Sequence, residues 1–405
     1  MSRLPRAVWL LGWVSLATDA ATEAIYPLLP FFLTRVLGAG ALSLGVIEGA
    51  AEAVSSVLKI VSGRVADRSR SMRPLVLAGY SVSSIARPFI ALTASWPQVF
   101  AIRVLDRVGK GVRSAPRDAM LATWTTSSTR GTVYGFHRGM DHLGAVIGPA
   151  LASLFLFFYP DRYRTLFALT IVPGAIAVLL IFLVPEEARG RLKADATAPT
   201  PRDPNVVSGF SRTADRTSPV LPPEFTRFMF VLALFTLGNS TDAFLLLKLT
   251  DAAGSAKWIP LMWAALHVVK AGVSVAGGSW SDRIGRRAVI GIGWAVYAAV
   301  YAGFAISTGL PSLLAWFLIY GFYFGFAEGT EKALVADLAP VERRGFAFGI
   351  YNAVQGLGAL SASVIFGAIW TVFGAPAAFW TGGALALAAT ALLFVFVRPY
   401  NRSHT

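Results

Sequence analysis

The stretch from Arg103 to Asp118, RVLDRVGKGVRSAPRD, places seven charged side chains in sixteen positions, with apolar sequence on both sides. At about 100° per residue, Arg103, Asp106, Arg107, Lys110, Arg113, Arg117 and Asp118 fall on one helical face about 140° wide. Leu105, Val108 and Val112 hold the opposite face. A loop keeps no such phase, so the pattern predicts a helix with an apolar back and a charged front. Acidic pairs at a spacing of four recur elsewhere in apolar surroundings: Asp19 with Glu23, and Glu48 with Glu52. Asp141 stands among His137, Arg138 and His142; Asp242 stands alone; His267 and Lys270 share a turn; Glu328, Glu331 and Lys332 cluster. Burial and a neighbouring cation shift a carboxyl's proton affinity in opposite senses, so carboxylates in such company can exchange protons and hold ions. Bond-breaking chemistry has no comparable signal. There is no HExxH, no Gly-x-Gly-Asp and no cysteine at all, and the chain reads as a non-enzyme without cofactor or metal.

What must position these groups is a membrane bundle. The 405 residues are 55% hydrophobic and only 14% charged, with mean hydropathy +0.60. Soluble domains carry about 25% charged residues. Spans of about 20 apolar residues are expected at 8–34, 42–62, 74–96, 98–121, 131–158, 164–184, 227–250, 257–279, 287–308, 311–338, 344–372 and 376–397. The apolar run after MSRLPR continues to Leu33 without a small-residue cleavage site, which reads as a retained first span. With spans alternating, one side receives Arg3, Arg6, Arg64, Arg68, Arg70, Arg73, Arg130, the basic residues of 185–227, Arg283, Arg286 and Arg287, Arg343 and Arg344, and Arg398 and Arg402. The other side receives only Arg35, Arg162, Arg164 and Lys257. That asymmetry accounts for much of the net charge of +14 without a nucleic-acid partner, and predicts cytoplasmic termini in the inner (plasma) membrane.

The halves repeat. GRVADRSRSMR from Gly63 matches GSWSDRIGRR from Gly278, RGTVYGFHRGMDHLGA from Arg130 matches RGFAFGIYNAVQGLGA from Arg344, and TDA occurs at Thr18 and Thr241. The expected organisation is an N-terminal six-helix bundle over 1–184, a polar, Pro-rich cytoplasmic linker over 185–226, a C-terminal six-helix bundle over 227–397 and a tail over 398–405. The fold class is an all-α membrane protein of twelve transmembrane helices in two pseudo-symmetric bundles. Repeated membrane halves place a substrate site between them.

Depth supports such a site. At 1.5 Å per residue Asp19 lies about 16 Å from the inner end of its span, Glu52 about 15 Å from the outer end of its own, and Arg107 and Lys110 about 14–18 Å down. Asp19, Glu52, Arg107, Lys110, Asp141, Asp242 and His267 are therefore expected to share a layer near the midplane, with Glu23 and Glu48 completing a substrate and proton cavity. The competing reading is a set of fixed salt bridges between the halves. Glu328, Glu331 and Lys332 lie nearer the cytoplasmic end and suit gate ion pairs. Among aromatics, Trp13, Tyr26, Phe136, Phe235 and Trp263 are the expected substrate contacts or packing anchors.

On these motifs the sequence resembles the major facilitator superfamily over its whole length, and within it bacterial proton-coupled efflux permeases. GSWSDRIGRR fits the family's loop signature fully with Gly278, Asp282, Arg283, Gly285, Arg286 and Arg287; the first copy keeps Gly63, Asp67, Arg68 and Arg70, but its inner glycine is displaced by Ser69. The resemblance implies a cytoplasmic gate, with Asp67 against a helix N-terminus. RVGKG resembles the fourth-span signature Arg-x-x-Gln-Gly, which implies a role for Arg107 in proton transfer; Lys110 replaces the glutamine. Gly135, Gly144, Gly148 and Pro149 resemble the fifth-span antiporter signature, here with Ala152 at the next glycine position and no terminal glycine pair. The implied function is a monomeric proton-coupled antiporter that exports a small organic molecule by alternating access. Proton symport importing an organic anion or metal chelate is the alternative within the class. A transport-dead sensor on the same fold is the alternative outside it.

Overall fold

The computed structural model describes residues 4–69, 71–124, 130–185, 221–339 and 344–397, and every regular element among them is helical. Most of the linker, 186–220, and the tail from 398 lie outside the described residues.

Twelve spanning segments follow in order. The first, α1, is Arg6–Ile25, carried on by a 3-10 turn at Tyr26–Leu28, a turn at Leu29–Phe31 and a π-turn at Phe32–Val36. Next come α2 (Ala41–Arg68), α3 (Arg73–Ala86, with a 3-10 extension at Arg87–Leu92), α4 (Trp96–Thr123) and α5 (Arg130–Phe158). The sixth, α6, comprises Tyr163–Leu169 and Ile171–Leu183. The second half holds α7 (Pro223–Gly238 and Ala243–Ala253), α8 (Ile259–Ile284), α9 (Arg286–Ile306), α10 (Leu310–Leu338), α11 (Arg344–Phe373) and α12 (Ala375–Phe396).

Local sequence explains the boundaries. Proline stands in the first turn of α3, α7, α8, α10 and α12, where its missing N–H costs nothing and its fixed φ suits the helix. Pro27 and Pro30 remove donors just where α1 changes helical type. The expected continuous span 227–250 is instead broken. Gly238-Asn239-Ser240-Thr241-Asp242 interrupts it with side chains that compete for backbone hydrogen bonds, and the helix also starts earlier, at Pro223. Nine helices among the described residues are long and apolar enough to cross a membrane on composition alone. Those that miss are α1, α4 and α8; α4 carries the seven charges, and only Ile259–Val273 of α8 is apolar.

The same neighbour relations recur in each half: α1 packs on α5 and α6 as α7 packs on α11 and α12, and α4 packs on α2 and α3 as α10 packs on α8 and α9. Between the halves α2 lies on α11 and α5 on α8. Large apolar side chains such as Phe157, Phe158, Leu179, Val172, Phe373 and Val395 face outward, as lipid contact requires. We call the end at which α1 begins proximal and the other distal. One apolar core runs through the C-terminal half and continues into the distal parts of the first half, through Ile25, Leu28, Phe32, Leu44 and Ile47. A second core, with Val8, Leu11, Tyr80, Leu121 and Ile181, is confined to the proximal part of the first half. The halves are thus joined by apolar packing mainly at the distal end.

Candidate functional site

The charged face of α4 is met by three neighbouring helices. Arg103 donates from Nε and Nη2 to Glu48 of α2 at 2.8–3.0 Å, and its Nη1 lies 3.7 Å from Asp106. Asp106 accepts from Nε of Arg87 of α3 at 2.9 Å, and Arg87 also donates to the carbonyl of Thr18 in α1 at 3.3 Å. Arg113 donates to Ser83 at 2.6 Å and lies over the Tyr80 ring. Arg87, Arg103, Asp106 and Glu48 are all buried. These ion pairs lie within the N-terminal half, not between the halves.

Arg107 and Lys110 face elsewhere. They line a cavity of about 460 Å³ between the halves, whose walls come from α1, α2 and α4 on one side and α7, α8, α10 and α11 on the other. The distal roof consists of contacts between the halves. Trp263 Nε1 donates to Glu23 at 2.7 Å, the Tyr26 hydroxyl lies 3.3 Å from that of Thr241, and the Tyr26 and Trp263 rings sit 5.1 Å apart. Beyond the roof Arg35 pairs with Asp251 at 2.6 Å, and Ser153 donates to the carbonyl of Lys257 at 2.5 Å. Lining residues nearer the proximal end, Glu328, Lys332 and Asn352, are exposed. The cavity is closed distally and reached from the proximal side.

The break in α7 builds the opposite wall. Asn239 donates to the Tyr323 hydroxyl at 3.0 Å, Ser240 lies 3.0 Å from the Tyr301 hydroxyl, and Asp242 accepts from Tyr320 at 2.7 Å with Lys270 at 3.6 Å. Glu331 is buried and accepts from Trp294 Nε1 at 2.9 Å, Tyr351 at 3.0 Å and Gln355 at 3.0 Å. On the same helix Glu328 takes Lys332 at 3.2 Å and Arg138 of α5 at 3.1 Å.

Of the expected cavity residues, Glu23, Glu48, Glu52, Arg107, Lys110 and Asp242 line it together. Asp19, Asp141 and His267 are not among its lining residues. Asp141 accepts from Ser15 and lies 3.6 Å from His137, in the α1–α5 interface. Asp19 packs there too, beside Gly144. His267 lines an adjoining cavity of about 420 Å³ with His142 and Lys270, which shares Phe324, Glu328 and Lys332 with the central one. Asp19 and Asp141 sit at the α1–α5 contact, and His267 is turned to the adjoining cavity. Glu331, expected as a gate ion pair, is held by neutral donors instead. Trp13 is exposed, Phe136 packs on Trp9, and Phe235 stacks on Trp294 4.3 Å away; only Tyr26 and Trp263 of the expected aromatics line the cavity.

The α5 glycines serve close packing. A Cβ at Gly144 would stand 2.5 Å from the carbonyl oxygen of Leu16, and one at Gly148 2.2 Å from that of Ala20, beside Pro149 inside the helix. The surroundings of Gly135 lie outside the described residues. So do Arg70, the side chains of Asp67, Arg68 and Asp282, and the surroundings of Gly278. Gly63 approaches Ala115 of α4. In the second loop copy Arg283 is exposed, Arg286 reaches Asp337 of α10 at 3.3 Å, and Arg287 donates to the carbonyl of Val397 at 2.6 Å. Gly285 adopts φ +93°, a left-handed conformation that favours glycine. The first copy has Arg70, outside the described residues, at the position of Gly285; Ser69 just before it is extended, with φ −79° and ψ 143°.

Residues that sequence reasoning passed over are Arg87, Asn239, Ser240, Thr241 and the tyrosines Tyr320, Tyr323 and Tyr351. A cluster of turn-forming side chains at 238–242 was the available signal for the α7 break. No group of three or more His, Asp or Glu side chains converges in a metal-binding arrangement among the described residues.

Comparison with known proteins agrees with this architecture. The sequence profile of the Major Facilitator Superfamily matches residues 11–269 and 228–405. An uncharacterized MFS-type transporter of Methanocaldococcus jannaschii is 30% identical over 97% of this chain and 95% of its own length. The cis,cis-muconate transport protein of Acinetobacter baylyi is 24% identical over 76% and 74%. The multidrug resistance protein MdtH of Edwardsiella ictaluri is 25% identical over 82% and 79%. Among solved structures, a nucleoside transporter NupG variant superposes with TM-score 0.79 at 13% identity, over 97% of this chain and 100% of its own. A bacterial homolog of the human lysosomal transporter Spinster, in an inward-facing, occupied conformation, gives TM-score 0.76 at 14% identity, over 99% and 98%.

Proposed function

Because the chain belongs to the Major Facilitator Superfamily, we propose that it is a proton-coupled antiporter that exports a small organic molecule by alternating access. The observation that carries this reading is the cavity between the halves, closed distally and reached from the proximal side. A two-sided site with one closed end is what a rocking pair of bundles needs. The chain is a multi-pass membrane protein, and on the arginine asymmetry its proximal end lies in the cytoplasm of the plasma membrane. One chain encloses the whole cavity, so a monomer suffices.

Export is supported by the likeness to MdtH and by the close α1–α5 packing at Gly144 and Gly148, which suits a sealed wall. For the coupling proton two places offer carboxyls without a strong cationic clamp. One is Asp141 with Ser15 and Asp19, whose cationic neighbour Arg138 is no nearer than 3.9 Å; the other is Glu331 with its neutral donors. The loop copies at Gly63–Arg70 and Gly278–Arg287 act as the proximal latch. Asp67→Asn slows transport under this reading. Proton symport of an organic anion is the second reading, favoured by the relative described as a muconate transport protein.

Reconstitution tests both. Proteoliposomes with an internal pH dye should show substrate-dependent proton movement, outward substrate driving inward protons for antiport and co-directional movement for symport. Substrate flux with no proton movement at any gradient removes the coupling, and no flux of any substrate class removes the transporter.

A further inference from the structure

We propose that the central cavity takes an organic anion, held by its carboxylate on Arg107 and Lys110, so that the substrate class is a small unsaturated or aromatic acid. This rests on the transporter reading and adds the charge of what is carried. It comes from asking which polar groups of the cavity are already satisfied. Each of the six carboxylates in its wall has a partner: Glu48 the Arg103 fork, Asp242 both Tyr320 and Lys270, Glu328 two cations, Glu331 three neutral donors, Glu23 the Trp263 indole and Glu52 the Lys59 ammonium at 3.9 Å. Among the described residues, the side chains of Arg107 and Lys110 make neither ion pair nor hydrogen bond. Arg107 is only 8% exposed, and its Nε is buried without an acceptor.

A buried guanidinium with no acceptor in contact is costly, and water in a confined cavity repays that only in part. A carboxylate supplies what is missing: two acceptor oxygens for the planar fork of Arg107 and a charge for Lys110 one helical turn away. A cationic substrate finds the reverse: carboxylates that already have partners, and two positive side chains with no hydrogen bond of their own. The body of the molecule is set by the opposite wall, where Tyr26, Trp263, Tyr320, Tyr323 and Phe324 present ring faces and edges suited to a π-system. A cavity of about 460 Å³ lies in the range that encloses small ligands.

The test uses the purified full-length protein and four probes: benzoate and cis,cis-muconate as acids, benzamide as the neutral analogue and benzylamine as the cation. Binding is read by calorimetry and by the shift in unfolding temperature. The expected result is that at least one acid binds about tenfold or more tighter than benzamide and benzylamine, a difference typical of charge-assisted hydrogen bonds. That binding should weaken about tenfold or more in Arg107→Gln and in Lys110→Gln, and stay at the parent value in Arg227→Gln, which removes an exposed positive charge at the start of α7. Lys110 is only half-buried, so Lys110→Gln carries the test if Arg107→Gln fails to fold. Benzylamine or benzamide binding as tightly as the acids overturns the proposal. So does acid binding that survives both substitutions, and so does failure of both acids to bind. Flux of the probes in proteoliposomes separates this from the reading beneath it. Acids that bind in the expected pattern but never cross leave the anion site and remove the transporter. An amine that crosses while the acids neither bind nor cross leaves the transporter and removes the anion site.

Discussion

The Nε of Arg87 donates to Oδ1 of Asp106 over 2.9 Å, and both side chains are buried. The pair ties the end of α3 to the middle of α4, and through Arg103 and Glu48 the chain of charges reaches α2. Arg87 also holds the Thr18 carbonyl, so α1 joins as well. Four helices of the N-terminal half are thereby clamped at one level, which lets that half move as a body. Removing one member leaves a buried charge without its partner, at a cost of about 3–5 kcal/mol. Arg87→Met and Asp106→Asn should each lower thermal stability in detergent by that order. Arg87→Met combined with Asp106→Leu should recover most of the loss, because a well-packed apolar pair replaces an ion pair at little cost. Single variants that unfold where the parent does would show that the clamp holds nothing.

The contact between the halves along α2 and α11 depends on glycine. A Cβ on Gly45 would stand 2.1 Å from the Ser363 carbonyl oxygen, and one on Gly49 2.9 Å from the Leu360 Cα, both against backbone that has no rotamer to yield. Gly45→Val should therefore disfavour the distally closed arrangement. The chain has no native cysteine, so Thr241→Cys in the roof is a clean reporter. Its alkylation by an impermeant maleimide from the distal side should rise about tenfold or more when Gly45→Val is added, a shift in population of about 1.4 kcal/mol. An unchanged rate means the glycine contact does not hold the distal end shut.

How far the sequence could be read follows from what each signal encodes. The seven charges of α4 share one phase, so both the helix and its polar face were legible. Arg87 was not, because a lone arginine before Pro88 reads as a helix end, and nothing local says that Asp106 waits across an interface. Depth was also legible, since rise per residue is fixed. Direction was not: Asp19 and Asp141 face the α1–α5 contact. Which way a side chain turns depends on the helix it packs against, and that lies far off in sequence. The tyrosine wall at Tyr320, Tyr323 and Tyr351 was hidden for another reason. Tyrosine suits lipid interface, core and wet cavity alike, so its presence in FLIYGFYFGF, or in GIYNAV for Tyr351, decides among none of them.

At the distal rim Arg35 meets Asp251 at 2.6 Å, with both side chains well exposed. Such pairs are worth about 0–1 kcal/mol and are screened by salt. Arg35→Glu should thus raise distal labelling of Thr241→Cys by no more than about fivefold, less than Gly45→Val does, and the effect should fade in about 1 M salt. Arg35→Glu with Asp251→Arg should return the rate to the parent value. A larger rise that salt does not reduce would assign the rim pair a structural role beyond its charge.

Glu331 and Glu328 stand three residues apart on α10 and differ in kind. Glu328 is bound by two cations, whereas Glu331 has no cationic nitrogen in ion-pair range and is held by an indole, a phenol and an amide. A carboxyl held by neutral donors can gain or lose a proton without breaking an ion pair, and its donors remain in place for either form. Glu331→Gln keeps the volume and one acceptor oxygen but cannot titrate. If Glu331 carries the coupling proton, flux driven by a pH gradient should fall at least about tenfold in Glu331→Gln, while substrate exchange at equal pH on both sides continues. Asp141→Asn is the matching arm. Gradient-driven flux unchanged in Glu331→Gln but lost in Asp141→Asn would move the carrier to the N-terminal half, to the carboxyl that accepts from Ser15 beside Asp19.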